Sequence, residues 1–203
     1  MAEVSNIAEV VEQRSFLKIM TSRTFLMASV LFMFPIMTNQ MLVVHTIPFA
    51  EGVGIGKTAA AAAVGLTGIS GMAGTILFPA LSSWFSWKLL VLITTLGTTL
   101  TIVWLMATSS LWMLTFFAVL YGFVFYGLNS TRLGLLRELF GTRWLASVIS
   151  IQMAAGALFS ATGPILGGYI YDHSGSYTIA FLVGVISMAV AVLVAIILKK
   201  RPD

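Results

Sequence analysis

Nine polar side chains interrupt stretches of this chain that are otherwise strongly apolar. They comprise amides, hydroxyls, phenols and one guanidinium: Asn39, Gln40, Ser70, Thr75, Tyr121, Tyr126, Asn129, Arg132 and Gln152. Groups of these types bind a small solute through hydrogen bonds, and the positive charge of Arg132 attracts an anion. Because a polar group in an apolar environment is costly unless it has a partner, we expect these residues to face neighbouring helices or a water-filled path for a solute.

A structural role is the alternative for each of them. Asn39 and Gln40 are also explained as hydrogen-bonding groups between helices, and the tyrosines as ordinary packing. Arg132 is also explained as an interfacial anchor whose charged end reaches the polar headgroups. The sequence leaves both interpretations open, although we place the nine residues together as the candidate path of a solute.

Residues suited to catalysis or metal binding are scarce. The two histidines, His45 and His173, are far apart in the sequence, and the carboxylates are scattered. The chain has no cysteine, which rules out disulfides and thiolate ligands. We therefore predict no catalytic residue, no metal site, no cofactor and no enzymatic activity.

Six long apolar stretches carry these residues: Thr24–His45, Ala59–Trp84, Leu89–Thr108, Leu111–Ser130, Leu145–Tyr171 and Thr178–Leu198. The chain is 59% hydrophobic and only 9% charged, against about 25% charged in soluble domains. Each stretch reaches the roughly 20 residues that cross a hydrocarbon core of about 30 Å. Continuous apolar runs without alternation favour helices over a barrel. The sequence predicts an all-α membrane protein with six transmembrane helices in residues 24–198, an N-terminal segment at 1–23 and a tail at 199–203.

The positive charges are sorted between the ends of these stretches. If every stretch crosses the bilayer, ten of the 11 Lys and Arg residues share one side: Arg14, Lys18, Arg23, Lys88, Arg132, Arg137, Arg143, Lys199, Lys200 and Arg201. Only Lys57 lies on the other side. Since Lys and Arg are enriched in cytoplasmic loops, we expect both termini in the cytoplasm, with the chain in a plasma or inner membrane. The net charge of +4 then reflects topology, and no nucleic-acid partner is predicted.

A faint internal symmetry relates the two halves of the chain. The second and fifth stretches are both rich in glycine, and each has a proline near its exit, at Pro79 and Pro164. Because each unit has three helices, an odd number, the second unit starts on the opposite side of the membrane and is inverted relative to the first. Inverted three-helix repeats are a known way of building secondary transporters.

Three segments resemble the C-terminal six-helix half of the major facilitator superfamily, in its monocarboxylate-porter and oxalate/formate-antiporter branch. His45–Gly52 resembles the branch's loop after the seventh helix, and Glu138–Arg143 resembles its loop before the eleventh. The strongest segment, Gly163–Tyr177, resembles the junction between the last two helices. This segment contains Gly-Pro-x-x-Gly-Gly and Asp-x-x-Gly-Ser-Tyr, with the motif residues Gly163, Pro164, Gly167, Gly168, Asp172 and Gly175. The resemblance implies half of a secondary transporter that moves a small solute, such as an organic anion, by alternating access.

This chain departs from the family pattern in three ways. The stretch Ala80–Lys88 lacks the family's aspartate, one arginine and the glycine. The second helix has Thr75 or a neighbour where carboxylate-transporting members have an arginine. The family has twelve helices, so the resemblance implies a second six-helix half, either as a homodimer or as a separate N-terminal half. A truncated, non-transporting fragment or a membrane packing subunit is the alternative.

The segment Gly68-Ile69-Ser70-Gly71 matches the G-x-S-G of intramembrane rhomboid proteases, which also have six core helices. A serine nucleophile needs a base within hydrogen-bond reach. In rhomboids that histidine follows on the last helix, where this chain has none. An intramembrane protease is therefore the remote alternative.

Cysteine labelling tests the predicted topology. A single cysteine at Pro202→Cys should resist a membrane-impermeant maleimide in intact cells and react after permeabilisation, because the tail is expected in the cytoplasm. Ser109→Cys, in a loop expected outside, is the matched control and should react in intact cells. External labelling of Pro202→Cys would contradict the orientation.

Overall fold

The computed structural model describes residues 16–198, which are helical and contain no strand. Five long helices follow one another, and a single 3-10 turn, Leu81–Ser83, comes after the second. The helices are α1 (Arg23–Gly52), α2 (Lys57–Ala80), α3 (Trp87–Met106), α4 (Leu111–Ser174) and α5 (Tyr177–Ile197). Most of the predicted N-terminal segment and the tail at 199–203 lie outside the described residues.

All five helices are long and apolar enough to cross a membrane, and the chain is an integral membrane protein. The first, second, third and sixth predicted stretches fall in α1, α2, α3 and α5. The fourth and fifth both fall in α4, which has 64 residues. The number of helices therefore differs from the prediction at this one place.

Gly141 interrupts α4, with φ 68° and ψ 174°. A straight helix of this length would measure about 96 Å. Instead, Nη1 of Arg132 lies 3.2 Å from Oε1 of Gln152, which is 20 residues later. The chain thus turns back on itself at Gly141, where a positive φ suits glycine. We call the two parts arm α4a (residues 111–140) and arm α4b (residues 142–174).

The segment His45–Gly52, expected to be a loop, is the last part of α1. His45, Thr46, Phe49 and Ala50 are all buried there, and the Phe49 ring packs edge-on against Phe181 at 5.1 Å. Burial of this face offsets the entropy of ordering two further turns. The expectation was wrong because the sequence pattern does not reveal that α5 lies opposite.

The start of α3 and the end of α5 meet at one end of the bundle. Lys88 Nζ donates a hydrogen bond of 2.8 Å to the carbonyl of Ile196. Arg23, at the start of α1, lines one groove together with Ile197 and Leu198 at the end of α5. Two of the predicted positive charges, Lys88 and Arg23, are therefore at the same end of the molecule.

Glycines allow α2 to lie directly against α4a. A Cβ atom added to Gly74 would collide with the backbone carbonyl of Phe123, and one added to Gly122 would collide with the backbone of Thr67. Lipid provides little driving force for helices to associate, so such close contacts supply much of the attraction in membranes. By contrast, a Cβ at Gly68 would meet nothing within 4 Å.

Substitutions of two glycines in α2 should separate close packing from helix propensity. Gly74→Ala should destabilise the protein by about 1–3 kcal/mol, because the added methyl group forces the helices apart. Gly68→Ala, the matched control, should be neutral or stabilising by up to about 1 kcal/mol, because alanine favours the helix. Thermal unfolding in detergent measures both. Equal effects of the two substitutions would contradict the packing described here.

Candidate functional site

Arg132 is the centre of a buried polar cluster near one end of the bundle. Its side chain, on arm α4a, is only 8% exposed. The guanidinium carbon lies 3.9 Å from the ring centroid of Phe32 on α1. Nη1 donates to Gln152 on arm α4b, whose Nε2 makes a long hydrogen bond of 3.5 Å to Ser29 Oγ on α1. The cluster therefore joins α1 and both arms of α4.

The positive charge of Arg132 is incompletely compensated. Its Nε atom is buried and has no hydrogen-bond partner among the described residues. Within residues 16–198 the carboxylates are Glu51, Glu138 and Asp172, and none of them pairs with Arg132. The Phe32 ring contributes a cation–π attraction of about 2 kcal/mol in a desolvated setting. A buried charge needs a counter-charge or further hydrogen bonds, so an anion would stabilise this group.

A second polar pair lies farther along the same two helices. The hydroxyl of Tyr121 donates to Oδ1 of Asn39 at 2.9 Å. The Tyr121 ring stacks between Phe117 and Phe125, at centroid distances of 5.2 and 5.3 Å. Tyr121 is buried and Asn39 is half-buried. The stacked rings fix the phenol, so its hydroxyl holds the amide in one orientation.

The pair and the cluster occupy two separate levels. Asn39 is ten residues after Ser29 on α1, and Tyr121 is eleven before Arg132 on the antiparallel arm α4a. At 1.5 Å per residue the two levels are about 15 Å apart. Four of the predicted residues, Asn39, Tyr121, Arg132 and Gln152, are therefore brought into two hydrogen-bonded groups between α1 and α4.

The other five predicted residues do not join these groups. Gln40 is half-buried and makes no hydrogen bond within the described residues, and Tyr126 is 43% exposed. Three bond to carbonyls of their own helices, as short polar side chains in helices often do: Ser70 to Leu66 and Thr67, Thr75 to Gly71, and Asn129 to Phe125.

The motif residues of arm α4b support α1. A Cβ at Gly163 would collide with the Met37 carbonyl, and Gly167 lies beneath the His45 ring. His45 Nε2 is 3.0 Å from the carbonyl of Pro164. Because a carbonyl only accepts, Nε2 carries the hydrogen in this contact.

The remaining motif residues lie toward the end of the arm. Gly168 is at the edge of van der Waals contact with His45, at 3.9 Å for an added Cβ. Asp172 is exposed, and Gly175 ends the helix with φ 68° and an N–H bond to Tyr171. This left-handed end suits glycine.

Sequence reasoning missed Ser29, Phe32 and the pairing of His45 with Pro164. Ser29 and Phe32 are three residues apart, so they share one face of α1, but nothing in the sequence says that arm α4b covers that face. Of the histidines, His45 bonds to Pro164 and His173 to the Tyr169 carbonyl. Neither is a partner of Ser70, and residues 16–198 contain no group of three His or acidic side chains suited to a metal ion.

A double-mutant cycle tests the Tyr121–Asn39 pair. Tyr121→Phe and Asn39→Leu should couple by about 0.6 kcal/mol and at most about 1.7 kcal/mol, the range for hydrogen bonds between membrane helices. Tyr126→Phe is the matched control and should show no coupling with Asn39→Leu, because Tyr126 makes no hydrogen bond to Asn39. Unfolding in mixed micelles gives the free energies. Zero coupling for Tyr121 would contradict the bond.

Comparison with known proteins gives one family match, which agrees with the long apolar helices of this chain. No curated protein matches this chain significantly. The family model of the Major Facilitator Superfamily matches residues 88–203, more than half of the 203-residue chain. The match includes α3, both arms of α4 and α5, and hence Arg132, Gln152 and the motif residues. The chain therefore belongs to the Major Facilitator Superfamily, a family of membrane transport proteins.

Proposed function

We propose that this chain is one half of a secondary transporter that moves a small organic anion by alternating access. The observation that carries the proposal is Arg132, a buried cation whose Nε finds no partner within residues 16–198 and which pairs with none of the three carboxylates of that range. A charged group of this kind inside a membrane protein is costly to keep unless it has a function. An anionic solute supplies the missing counter-charge.

The chemistry of Arg132 favours a carboxylate. A guanidinium presents its N–H groups in a planar fork that matches the two oxygens of a carboxylate. Nη1 is engaged by Gln152, which leaves Nε and Nη2 for a solute. The branch that the sequence resembles carries an arginine on its second helix where this chain has Thr75 or a neighbour. Arg132 would take over that role from a different helix.

Six membrane crossings follow if the two arms of α4 each cross once. Each arm has at least 30 residues, about 45 Å of helix, which exceeds the hydrocarbon thickness. The turn at Gly141 and the Lys88–Ile196 bond support this arrangement. An even number of crossings puts both termini on one side, and the distribution of Lys and Arg favours the cytoplasmic side of a plasma or inner membrane.

The glycine contacts support two inverted three-helix repeats. When the arms of α4 are counted separately, such an arrangement makes α2 correspond to arm α4b and α1 to arm α4a. The packing of α2 on arm α4a should then resemble the packing of arm α4b on α1. Gly74 of α2 meets Phe123 of arm α4a, and Gly163 of arm α4b meets Met37 of α1. Both contacts bring a glycine against a backbone carbonyl, as equivalent contacts of two repeats would.

A second half is required to enclose a path. The outer faces of α2 and arm α4b expose large apolar side chains, among them Met72 at 69% and Leu158 at 79%. These two helices correspond under the proposed inverted symmetry, so one partner surface could cover both. We propose a second six-helix half, a homodimer or a separate N-terminal half, related by an axis along the membrane normal.

Transport by purified protein in liposomes tests the function. The chain alone, and together with a candidate N-terminal half, should take up radiolabelled oxalate or lactate. Arg132→Gln should lower the uptake about 10- to 100-fold, because a hydrogen bond to a charged group contributes about 1.5–3 kcal/mol. Arg137→Gln, which removes an exposed cation of the same arm, should leave uptake nearly unchanged.

The controls separate transport from folding. Each variant is also measured by thermal unfolding and by its mass in lipid discs. Loss of uptake in Arg132→Gln with normal folding supports the substrate class, whereas equal losses in both variants contradict it. No uptake of any anion in either setting, with a monomeric mass, would favour the non-transporting fragment or packing subunit.

A further inference from the structure

A groove separates the beginning of α1 from the end of α5. It is lined by Arg23, Thr24, Met27, Ile197 and Leu198, and it has a volume of about 310 Å³. Its walls combine one cation and one hydroxyl with three apolar side chains. This combination suits a molecule that has an anionic group at one end and a hydrocarbon part at the other.

The cation of the groove is free. Arg23 is exposed, and it makes no hydrogen bond, ion pair or ring contact within residues 16–198. The carboxylate of Glu138 lines a different groove, together with Trp87 and Arg137. Arg23 therefore presents N–H donors that no group within residues 16–198 occupies.

Lys88 brings a second cation to the same place. One of its three N–H groups bonds to the Ile196 carbonyl, one residue before Ile197 in the groove wall. This bond also compensates the negative end of α5, which would otherwise repel an anion.

We propose that this groove binds the phosphate headgroup of an anionic glycerophospholipid, with the acyl chain along Met27 and Ile197. Basic pockets between membrane helices at the cytoplasmic surface suit such headgroups. Arg23 binds the phosphate and Lys88 adds its remaining N–H donors. The apolar wall explains why a lipid fits better than a free anion. This site is separate from the Arg132 cluster and does not depend on the transport proposal.

Native mass spectrometry of the purified full chain tests the site. The fraction of protein that retains one phosphatidylglycerol is compared with the fraction that retains one phosphatidylcholine at the same lipid concentration. Phosphatidylglycerol should be retained preferentially. Arg23→Gln should lower its retention about fivefold, because one cation near the surface contributes about 1 kcal/mol. Lys88→Gln should lower it by a similar factor.

Two matched variants and one competitor complete the design. Lys18→Gln and Arg137→Gln remove exposed cations that do not line the groove, and both should retain phosphatidylglycerol as the unmodified chain does. Inorganic phosphate at millimolar concentration should not displace the lipid. Unchanged retention in Arg23→Gln, equal retention of the two lipids, or displacement by phosphate would each overturn the proposal, the last in favour of a free-anion site. Thermal unfolding confirms that every variant is folded.

Discussion

The structure depends on close contact between helices, although a lipid environment provides little hydrophobic driving force for them to associate. In lipid, apolar side chains gain no hydrophobic energy by leaving the bilayer, so attraction comes from packing and from hydrogen bonds between helices. Glycine removes the side chain that would hold two backbones apart. Gly74 brings α2 against Phe123, and Gly163 brings arm α4b against Met37. These two contacts fix where arm α4a and α1 lie, and the polar groups are carried on those same helices.

The buried polar groups use the interfaces that this packing creates. Tyr121 and Asn39 bond across α1 and arm α4a, while Arg132, Gln152 and Ser29 join α1 to both arms. Each bond removes a polar group from contact with hydrocarbon, where an unpaired group costs several kcal/mol. Within residues 16–198, Arg132 is a buried charged group with an unpaired atom, Nε. In the Tyr121–Asn39 pair, by contrast, two uncharged groups bond to each other.

The two ends of the bundle differ in the polar and charged groups that they carry. At one end, Lys88 and Arg23 surround the last turn of α5, and Arg132 lies inward from the same side. At the other end, His45 is buried and hydrogen-bonded to the Pro164 carbonyl, so this polar group has a partner inside the protein. A concentration of cations on one side attracts anionic solutes and anionic lipids alike. The two proposed sites, for a solute and for a lipid, lie at different depths, since Arg132 is buried in the helix bundle and Arg23 is exposed at its rim.

The class of protein and the position of most helices could be predicted from the sequence, because apolar length and charge distribution are properties of the chain alone. The family could be predicted from short motifs such as that of Gly163–Tyr177. The sequence also identified Asn39, Tyr121, Arg132 and Gln152 as polar groups that need partners. Their partners depend on how the helices pack in three dimensions. Arg132 meets Gln152 because Gly141 reverses the chain, and it meets Phe32 because arm α4a lies beside α1. The helical ending of α1 beyond His45 was likewise decided by its burial against α5. Contacts between helices depend on the relative rotation and separation of whole elements, and no local pattern of residues encodes these.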